Sequence, residues 1–314
     1  MISRALMAAA WVGFMAIALA ARADEAETER PAPPQRLYDL RYKFEAGETV
    51  RTEVVHRATV ETTIQGTAQT AETRSRSIKA WKITNVSPSG HVRFVHSVES
   101  IDMWQHTKGR QEVRYNSETD KKVPPGYEEA AKAVGVPLTI VTIDRRGKVL
   151  KREEMHRQAV GGTNQITFPL PTKAVAIGYK WSAPQDMEVL LKGGATKMIS
   201  ARQQFTLAKV EDGIATIDVE TQVLTPVHDP AIEAQLVQRM TSGSVRFDIE
   251  RGRIIDQQMD LDKRVVGFSG PSSSMHYMTR FTEELLRDEA TARQEPPSDP
   301  RPSARRTKLA PAPR

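Results

Sequence analysis

The sequence of 314 residues predicts a mainly β protein of the α+β class. We expect two similar curved antiparallel β-sheet units, each with one short helix and each shaped like a half-barrel. Segments that alternate apolar and polar residues, joined by connections too short for crossover helices, indicate antiparallel strands. The stretch from Phe168 to Trp181, in which two prolines and Gly178 precede an aromatic strand, marks the start of the second unit.

The first unit is predicted to span residues 37–164. Its opening strand places Tyr38, Leu40, Tyr42 and Phe44 on one face and charged residues on the other, which is typical of a half-buried antiparallel strand. Gly and Pro then divide the chain into further elements. These are strands over 49–64, 76–86 and 92–98, a hairpin over 103–115, a helix over 127–134 and a hairpin over 138–152.

The second unit, residues 165–286, repeats this order. The turn at Gly213 corresponds to the turn at Gly90, and the turn at Gly252 corresponds to that at Gly147. A helix is predicted from Ala231 to about Met240, because Asp229 is a good N-cap residue and Pro230 suits the first helical position. We interpret the pattern as a divergent duplication, and it leaves open whether the two units form one continuous sheet or two.

The amino end predicts export. An uncharged run follows Arg4 and ends at Ala21-Arg22-Ala23, so residues 1–23 are expected to be a signal peptide and 24–36 a linker. The mature protein would be soluble in the periplasm or outside the cell; an uncleaved amino-terminal anchor is the alternative. With no cysteine, the chain has neither a lipidation site of the lipoprotein type nor disulfide bonds.

The positive charge is concentrated in the carboxyl-terminal tail. The formal net charge is +6, and residues 287–314 hold seven basic and four acidic side chains, or +3. This proline- and arginine-rich tail has few large apolar residues and is predicted to be disordered. Weak contact of the tail with an anionic membrane or wall polymer is an alternative role. Because the folded body is close to neutral, we expect no nucleic-acid partner.

Three segments resemble an uncharacterised family of exported bacterial proteins with two β-rich repeats. They are Leu40-Arg-Tyr-Lys-Phe-Glu-Ala-Gly-Glu48, Pro169-Leu-Pro-Thr-Lys-Ala-Val-Ala-Ile-Gly-Tyr-Lys-Trp181 and Gly243-Ser-Val-Arg-Phe-Asp-Ile-Glu-Arg-Gly252. Tyr179 stands where the family usually has an acidic residue. The resemblance implies export and a two-repeat β fold, and it implies no established activity.

The sequence shows no familiar catalytic, metal or cofactor motif, so we expect no cofactor and no enzyme activity. The seven histidines include no His-x-His pair and are interpreted as surface or edge residues. The serine-rich loop around Ser269 lacks the Gly-x-Ser-x-Gly motif and is interpreted as a flexible loop. A hydrolase without a recognisable motif is an alternative; it would use Ser269, or one of His156, His228 and His276 with a carboxylate.

Aromatic residues suggest a binding role. They either line a concave sheet face that holds an apolar ligand or an envelope partner, or they fill an ordinary core. Trp104 lies in a hairpin with no counterpart in the second unit, so it is the residue most expected to touch a partner. A structural or scaffolding role in the cell envelope is the alternative function. The candidate ligand-binding residues are Trp104, Trp81, Trp181, Tyr42, Tyr115 and Phe205.

We expect the exported protein to begin at Asp24, because Ala21 and Ala23 offer small side chains at both positions that a signal peptidase reads. Amino-terminal sequencing of protein recovered from the envelope or medium checks this. An Ala23→Glu variant should stay uncut, and a native protein that still begins at Met1 or Ile2 would indicate the uncleaved anchor instead.

Overall fold

The structure is a computed structural model that describes residues 36–156 and 167–286. The predictions for the signal peptide, for the linker up to residue 35 and for the tail from residue 287 lie outside the described residues. The same is true of the predicted boundary between residues 164 and 165. In the described part of the chain, no helix combines the length and hydrophobicity needed to span a membrane.

The described residues form fourteen β-strands and two short α-helices. The first half contains β1 (Thr49–Ile64), β2 (Thr67–Val86), β3 (Val92–Thr107), β4 (Val113–Asn116), α1 (Glu128–Lys132), β5 (Pro137–Ile143) and β6 (Val149–Glu154). The second half contains β7 (Lys180–Pro184), β8 (Met187–Leu190), β9 (Thr196–Ile199), β10 (Ala201–Glu211), β11 (Ile214–Val223), α2 (Pro230–Leu236), β12 (Ser242–Asp248), β13 (Arg253–Val266) and β14 (Ser274–Leu285). A short 3-10 helix, Val237–Arg239, follows α2.

Twelve of these strands form one large antiparallel sheet. Its order is β6-β5-β3-β2-β1-β14-β13-β12-β11-β10-β7, with β4 paired to the far end of β3, while β8 and β9 form a separate hairpin. The long ladder between β1 and β14, which pairs Thr52 with Leu285 and Thr63 with Ser274, joins the two halves. The mainly β prediction is confirmed, and the two halves share one continuous sheet.

Four strands and one helix recur in the same order in the two halves. Strands β2, β3, β5 and β6 are neighbours in the sheet, with α1 between β3 and β5 along the chain. Strands β10 to β13 are also neighbours, with α2 between β11 and β12. The predicted cap of α2 is confirmed, since the Asp229 carboxylate accepts a hydrogen bond from the Ala231 N–H at 2.9 Å.

Two extended segments, residues 38–44 and 167–175, lie on one face of the sheet, and we call them the inner segments. The N–H of Tyr42 donates to the carbonyl of Arg145 at 2.8 Å, and the N–H of Lys43 donates to the carbonyl of Gly252 at 3.0 Å. Arg145 lies in the β5–β6 turn and Gly252 in the β12–β13 turn. In a flat sheet these turns would be about 29 Å apart, at ~4.8 Å per strand. Neighbouring Cα atoms are only about 3.8 Å apart. The sheet is therefore strongly curved around the inner segments.

The inner segments also bridge the two edges of the sheet. The Thr167 hydroxyl donates to the Gly147 carbonyl at 2.7 Å, beside β6, and the Trp181 indole N–H donates to the Pro169 carbonyl at 2.7 Å, beside β7. Among the described strands, the edge strands β6 and β7 form no ladder with each other. The two edges are thus joined through side chains and turns rather than by strand pairing.

One predicted strand is wrong. Residues 37–44 keep the predicted alternation, with Leu40 and Tyr42 buried and Arg41 and Lys43 exposed. Only Tyr38 forms a strand-like bridge, to Val175. Beyond Tyr38 the segment is not a strand, because the N–H groups of Tyr42 and Lys43 bind the turns of two different hairpins instead of a neighbouring strand.

Gly147 allows a close approach that another residue would block. Its φ is +80°, and a Cβ there would lie 2.5 Å from both the Phe168 carbonyl oxygen and the Tyr42 ring. Gly213 has the same φ of +80°, and a Cβ there would meet no described atom within 4 Å, so it is a matched control.

We therefore expect Gly213→Ala to lower the free energy of unfolding by about 1–2 kcal/mol, from the left-handed backbone alone. Gly147→Ala should lower it by roughly 3 kcal/mol or more, since overpacking adds to the same strain. Urea denaturation of both variants measures the difference. Equal losses would contradict the tight contact between the turn and the inner segments.

Candidate functional site

Cross-strand register defines the concave, inner face of the sheet. Residues directly opposite each other on paired strands share a face, so Val50, Trp81, Phe94 and Val141 all point inward at one end. Phe44 contacts both this cluster and the cluster around Phe205 on the other half of the sheet. At this end, where the inner segments lie, the concave face is filled with apolar side chains.

Away from the inner segments, the same face carries small residues on β2. Their partners on β3 are larger, and most of the set is half-buried rather than buried. Because the side chains on β2 are smaller than those opposite them on β3, we interpret this part of the face as a shallow depression along the strands. We call it the β2–β3 groove. It is formed by Ala71, Thr73, Ser75 and Ser77 on β2 and by Ile101, Met103, Gln105 and Thr107 on β3.

The groove leads to a cavity of about 220 Å³ between the β3–β4 hairpin and the loop before α1. Gln105 and Thr107 belong to both the groove and the cavity wall, Arg110 and Gln111 add further polar groups, and Val113, Pro125 and Tyr127 supply apolar surface. Tyr127 stacks on Tyr115, with 6.3 Å between ring centroids, and both rings are buried. The groove and the cavity therefore form one continuous concave surface.

A hydrogen-bonded carboxylate lies on the inner face of β14. Glu283 accepts from the Thr52 hydroxyl at 2.7 Å and from the Gln257 amide at 2.6 Å. Beside it is a second cavity of about 30 Å³, bounded by Phe44 and Trp81 among others. That volume is about the share of one water molecule, so it is too small for an organic ligand.

Three polar side chains lie closer to the groove. The Lys79 ammonium is 6.0 Å from the centre of the Phe281 ring. His56 shares a hydrogen bond with the Thr279 hydroxyl at 2.8 Å, and burial lowers the pKa of its imidazole. Such groups can orient a ligand whose apolar part lies along the groove.

His96 is buried, contrary to the interpretation of the histidines as surface or edge residues. It lies on the inner face of β3, opposite Trp81 and Thr139, and is 7% exposed. Burial, with the nearby charges of Lys79 and Arg152, lowers its pKa to about 4. The ladder between β3 and β5 shifts register between His96 and Ser97, and the sequence could not show what covers this face.

Three of the predicted site residues lie together in the core. Phe205 stacks on Trp181 with 5.5 Å between ring centroids, and Tyr42 belongs to the same cluster. The buried Tyr42 hydroxyl donates to the Phe168 carbonyl at 3.2 Å, and burial raises its pKa far above the usual range. Trp81 packs in a different cluster, stacked on Phe94 at 5.0 Å.

The other two predicted residues lie near the groove. Tyr115 is on the inner face of β4, opposite Met103. Trp104 is on the outer face of β3, half-buried, and its indole N–H donates to Glu112 at 3.0 Å. A role in ligand binding stays a prediction for all six residues, and only Tyr115 borders the groove.

In the described part of the chain, His276 of the alternative hydrolase does not meet a nucleophile. It binds Asp262 at 2.6 Å and Glu61 at 3.3 Å, and the Asp262 hydrogen bond raises its pKa. Its third described partner is Arg264, so none of the three carries a hydroxyl. Among the described residues, no group of three His, Asp or Glu side chains converges on a metal position.

Sequence reasoning missed the groove residues themselves. Ser75, Ser77, Met103 and Lys79 are ordinary residues in the sequence, and they become neighbours only through the pairing of β2 with β3. One sequence feature could have identified them: small residues stand at every second position of β2 from Ala71 to Ser77, which is unusual for the inward face of a strand.

Stability should depend on pH through His96. The unfolded chain binds a proton at this imidazole near pH 6.5, whereas the folded chain does so near pH 4, so stability falls as pH falls through this interval. We expect a loss of about 3 kcal/mol that is absent from His96→Gln. Urea denaturation at several pH values measures it. The control His91→Gln, at an exposed turn, should keep the wild-type loss; an unchanged His96→Gln profile would contradict the burial.

Comparisons with known proteins give distant structural likenesses. Neither protein-family models nor curated protein sequences give a match. Lipovitellin, from a structure concerned with lipid–protein interactions, aligns over 78% of this chain and 26% of its own at 9% identity, with a TM-score of 0.42. A DUF1329 family protein from Desulfovibrio piger aligns over 72% of this chain and 83% of its own at 8% identity, with a TM-score of 0.17. This chain thus spans about a quarter of lipovitellin, and at these TM-scores neither likeness identifies a family or a function.

Proposed function

We propose that this protein binds an apolar chain in the β2–β3 groove. What supports the proposal is the row of inward residues on β3, in which half-buried Ile101 and Met103 lead to Gln105 and Thr107 in the wall of the 220 Å³ cavity. Soluble proteins normally bury methionine and isoleucine on the inward face of a sheet. Here the small residues opposite them, Ser75 and Ser77, leave room for a ligand to complete the packing.

The dimensions favour an elongated ligand. The cavity is smaller than the ~300 Å³ at which pockets for drug-sized molecules begin, so a ligand held there must extend into the groove. From Ile101 to Thr107 the groove is about 20 Å long at ~3.3 Å per residue. A flexible acyl chain has this shape, and its burial would gain about 25 cal/mol for each Å² of apolar surface.

We further propose that the protein acts by binding without catalysis, in the periplasm or outside the cell. Binding without catalysis is supported by the partners of His276, which are charged groups on the outer face of the sheet. The location in the periplasm or outside the cell is supported by the Ala-x-Ala site before Asp24. An envelope protein that carries such an acyl chain is the corresponding macromolecular partner.

Native mass spectrometry of the mature chain, purified gently from its own envelope, tests the binding function directly. A bound acyl compound should appear as an extra mass that is lost on denaturation. Protein that is free of ligand and also fails to bind a dansyl-labelled undecanoic acid would contradict the proposal.

Filling the groove should block binding. In Ser75→Trp, a large ring on the inner face of β2 occupies the space beside Met103, and we expect affinity for dansyl-labelled undecanoic acid to fall at least about tenfold, or 1.4 kcal/mol. Fluorescence titration measures the affinity.

Thr59→Trp is the matched control, because Thr59 is a half-buried residue on the outer face of the neighbouring strand β1. It should bind as the wild type does. Thermal denaturation should show both variants to be folded, and equal affinity in a folded Ser75→Trp would place the ligand elsewhere.

A further inference from the structure

Three polar side chains on the inner face of β3, β5 and β6, namely His96, Thr139 and Arg152, lack hydrogen-bond partners within the described part of the chain, and Lys79 lies on the same face of β2. His96 is opposite Thr139 in the ladder between β3 and β5, and Lys79 is opposite Val98, one inward position along from His96. Arg152 is opposite Val141, which follows Thr139 on the inner face of β5. All four side chains therefore lie on the concave face, with His96 and Thr139 in the row between Lys79 and Arg152.

Three of these side chains have buried hydrogen-bonding atoms without a partner among the described residues. The Nδ1 atom of His96, the hydroxyl of Thr139 and the Nε atom of Arg152 are buried and have no hydrogen-bond partner among the described residues. His96 is 7% exposed and Thr139 is 1% exposed. Leaving such a group unpaired costs about 1–3 kcal/mol, and more when it is charged, so three together indicate a missing partner.

The charge of this cluster is positive. Lys79 contacts the Phe281 ring, and neither Lys79 nor Arg152 forms an ion pair with another described residue. Both cations act on His96 and help to lower its pKa. Glu154, opposite Thr139 at the edge of the sheet, is exposed. Two such cations beside buried donors form a site for an anion.

The cluster adjoins the β2–β3 groove. Lys79 lies one inward position from Ser77, which is opposite Ile101 at the end of the groove farther from the cavity. A ligand with its head at Lys79 would therefore run along Ile101 and Met103 toward the 220 Å³ cavity.

We infer that Lys79, Arg152, His96 and Thr139 bind the carboxylate head of an acyl chain lying in the β2–β3 groove. This inference rests on the proposed function and names its ligand class, an anionic amphiphile. Lys79 and Arg152, which are half-buried, meet the carboxylate first, and the Thr139 hydroxyl and the His96 ring lie behind them. The carboxylate supplies the acceptors that the Arg152 Nε–H, the Thr139 hydroxyl and a His96 N–H lack in the described structure.

The test compares dansyl-labelled undecanoic acid with its methyl ester, which has the same chain and no charge. The full mature chain should bind the acid at least about tenfold more tightly than the ester, as expected for charge-assisted hydrogen bonds. Lys79→Gln and Arg152→Gln should each weaken binding of the acid about tenfold and leave binding of the ester unchanged.

Matched controls are Lys82→Gln and Arg74→Gln, which remove exposed cations from the outer face of β2 and should leave binding of both probes unchanged. If the wild type binds acid and ester equally and Lys79→Gln affects neither, the anion site is wrong while the apolar groove stands. If neither probe binds, the groove and the anion site both fail. Displacement of the acid by inorganic phosphate would make this a site for free anions and overturn the acyl ligand.

Discussion

The curvature of the sheet depends on two consecutive backbone hydrogen bonds. The N–H groups of Tyr42 and Lys43 bind turns from opposite halves of the molecule, at Arg145 and Gly252. Because adjacent residues cannot be far apart, these two bonds hold distant hairpins together at one end of the sheet. Gly147 and Gly252 lack side chains where the inner segments come closest. These contacts make one face of the sheet concave, and the β2–β3 groove lies on that face.

Curvature divides the concave face into two regions with different chemistry. Near the inner segments, aromatic and branched residues such as Phe94 and Phe205 are fully buried and supply the hydrophobic stabilisation. Farther along β2 and β3, small residues leave the β2–β3 groove open. Between the regions lie polar groups, including His96 and Thr139, that the described residues leave without partners. An amphipathic ligand would complete both features. Its polar head would pair with the unsatisfied donors, and its apolar chain would lie in the β2–β3 groove.

Residue type alone did not identify the residues of the candidate site. Aromatic residues were the predicted candidates, and three of them, Tyr42, Trp181 and Phe205, lie in the core beneath the inner segments. Lys79 and Arg152 have no sequence feature that separates them from other surface cations. Ordinary cations such as Arg246 meet a carboxylate, here Asp256, whereas these two meet none among the described residues. Whether a cation meets a carboxylate on a neighbouring strand depends on how the strands are paired, that is, on their register.

The sequence by itself determined the local structure, because alternation, turn glycines and the Asp229 cap act over a few residues. It was sufficient for the mainly β fold, for most hairpins and for the matching order of elements in the two halves. Tertiary structure alone decided that β1 pairs with β14 to make one sheet and that residues 37–44 bind turns instead of a strand. It also decided which inward-facing residues are buried beneath the inner segments and which stay half-buried in the groove. The physical reason is that pairing between the ends of a long chain depends on the sum of many weak contacts, which no short stretch of sequence contains.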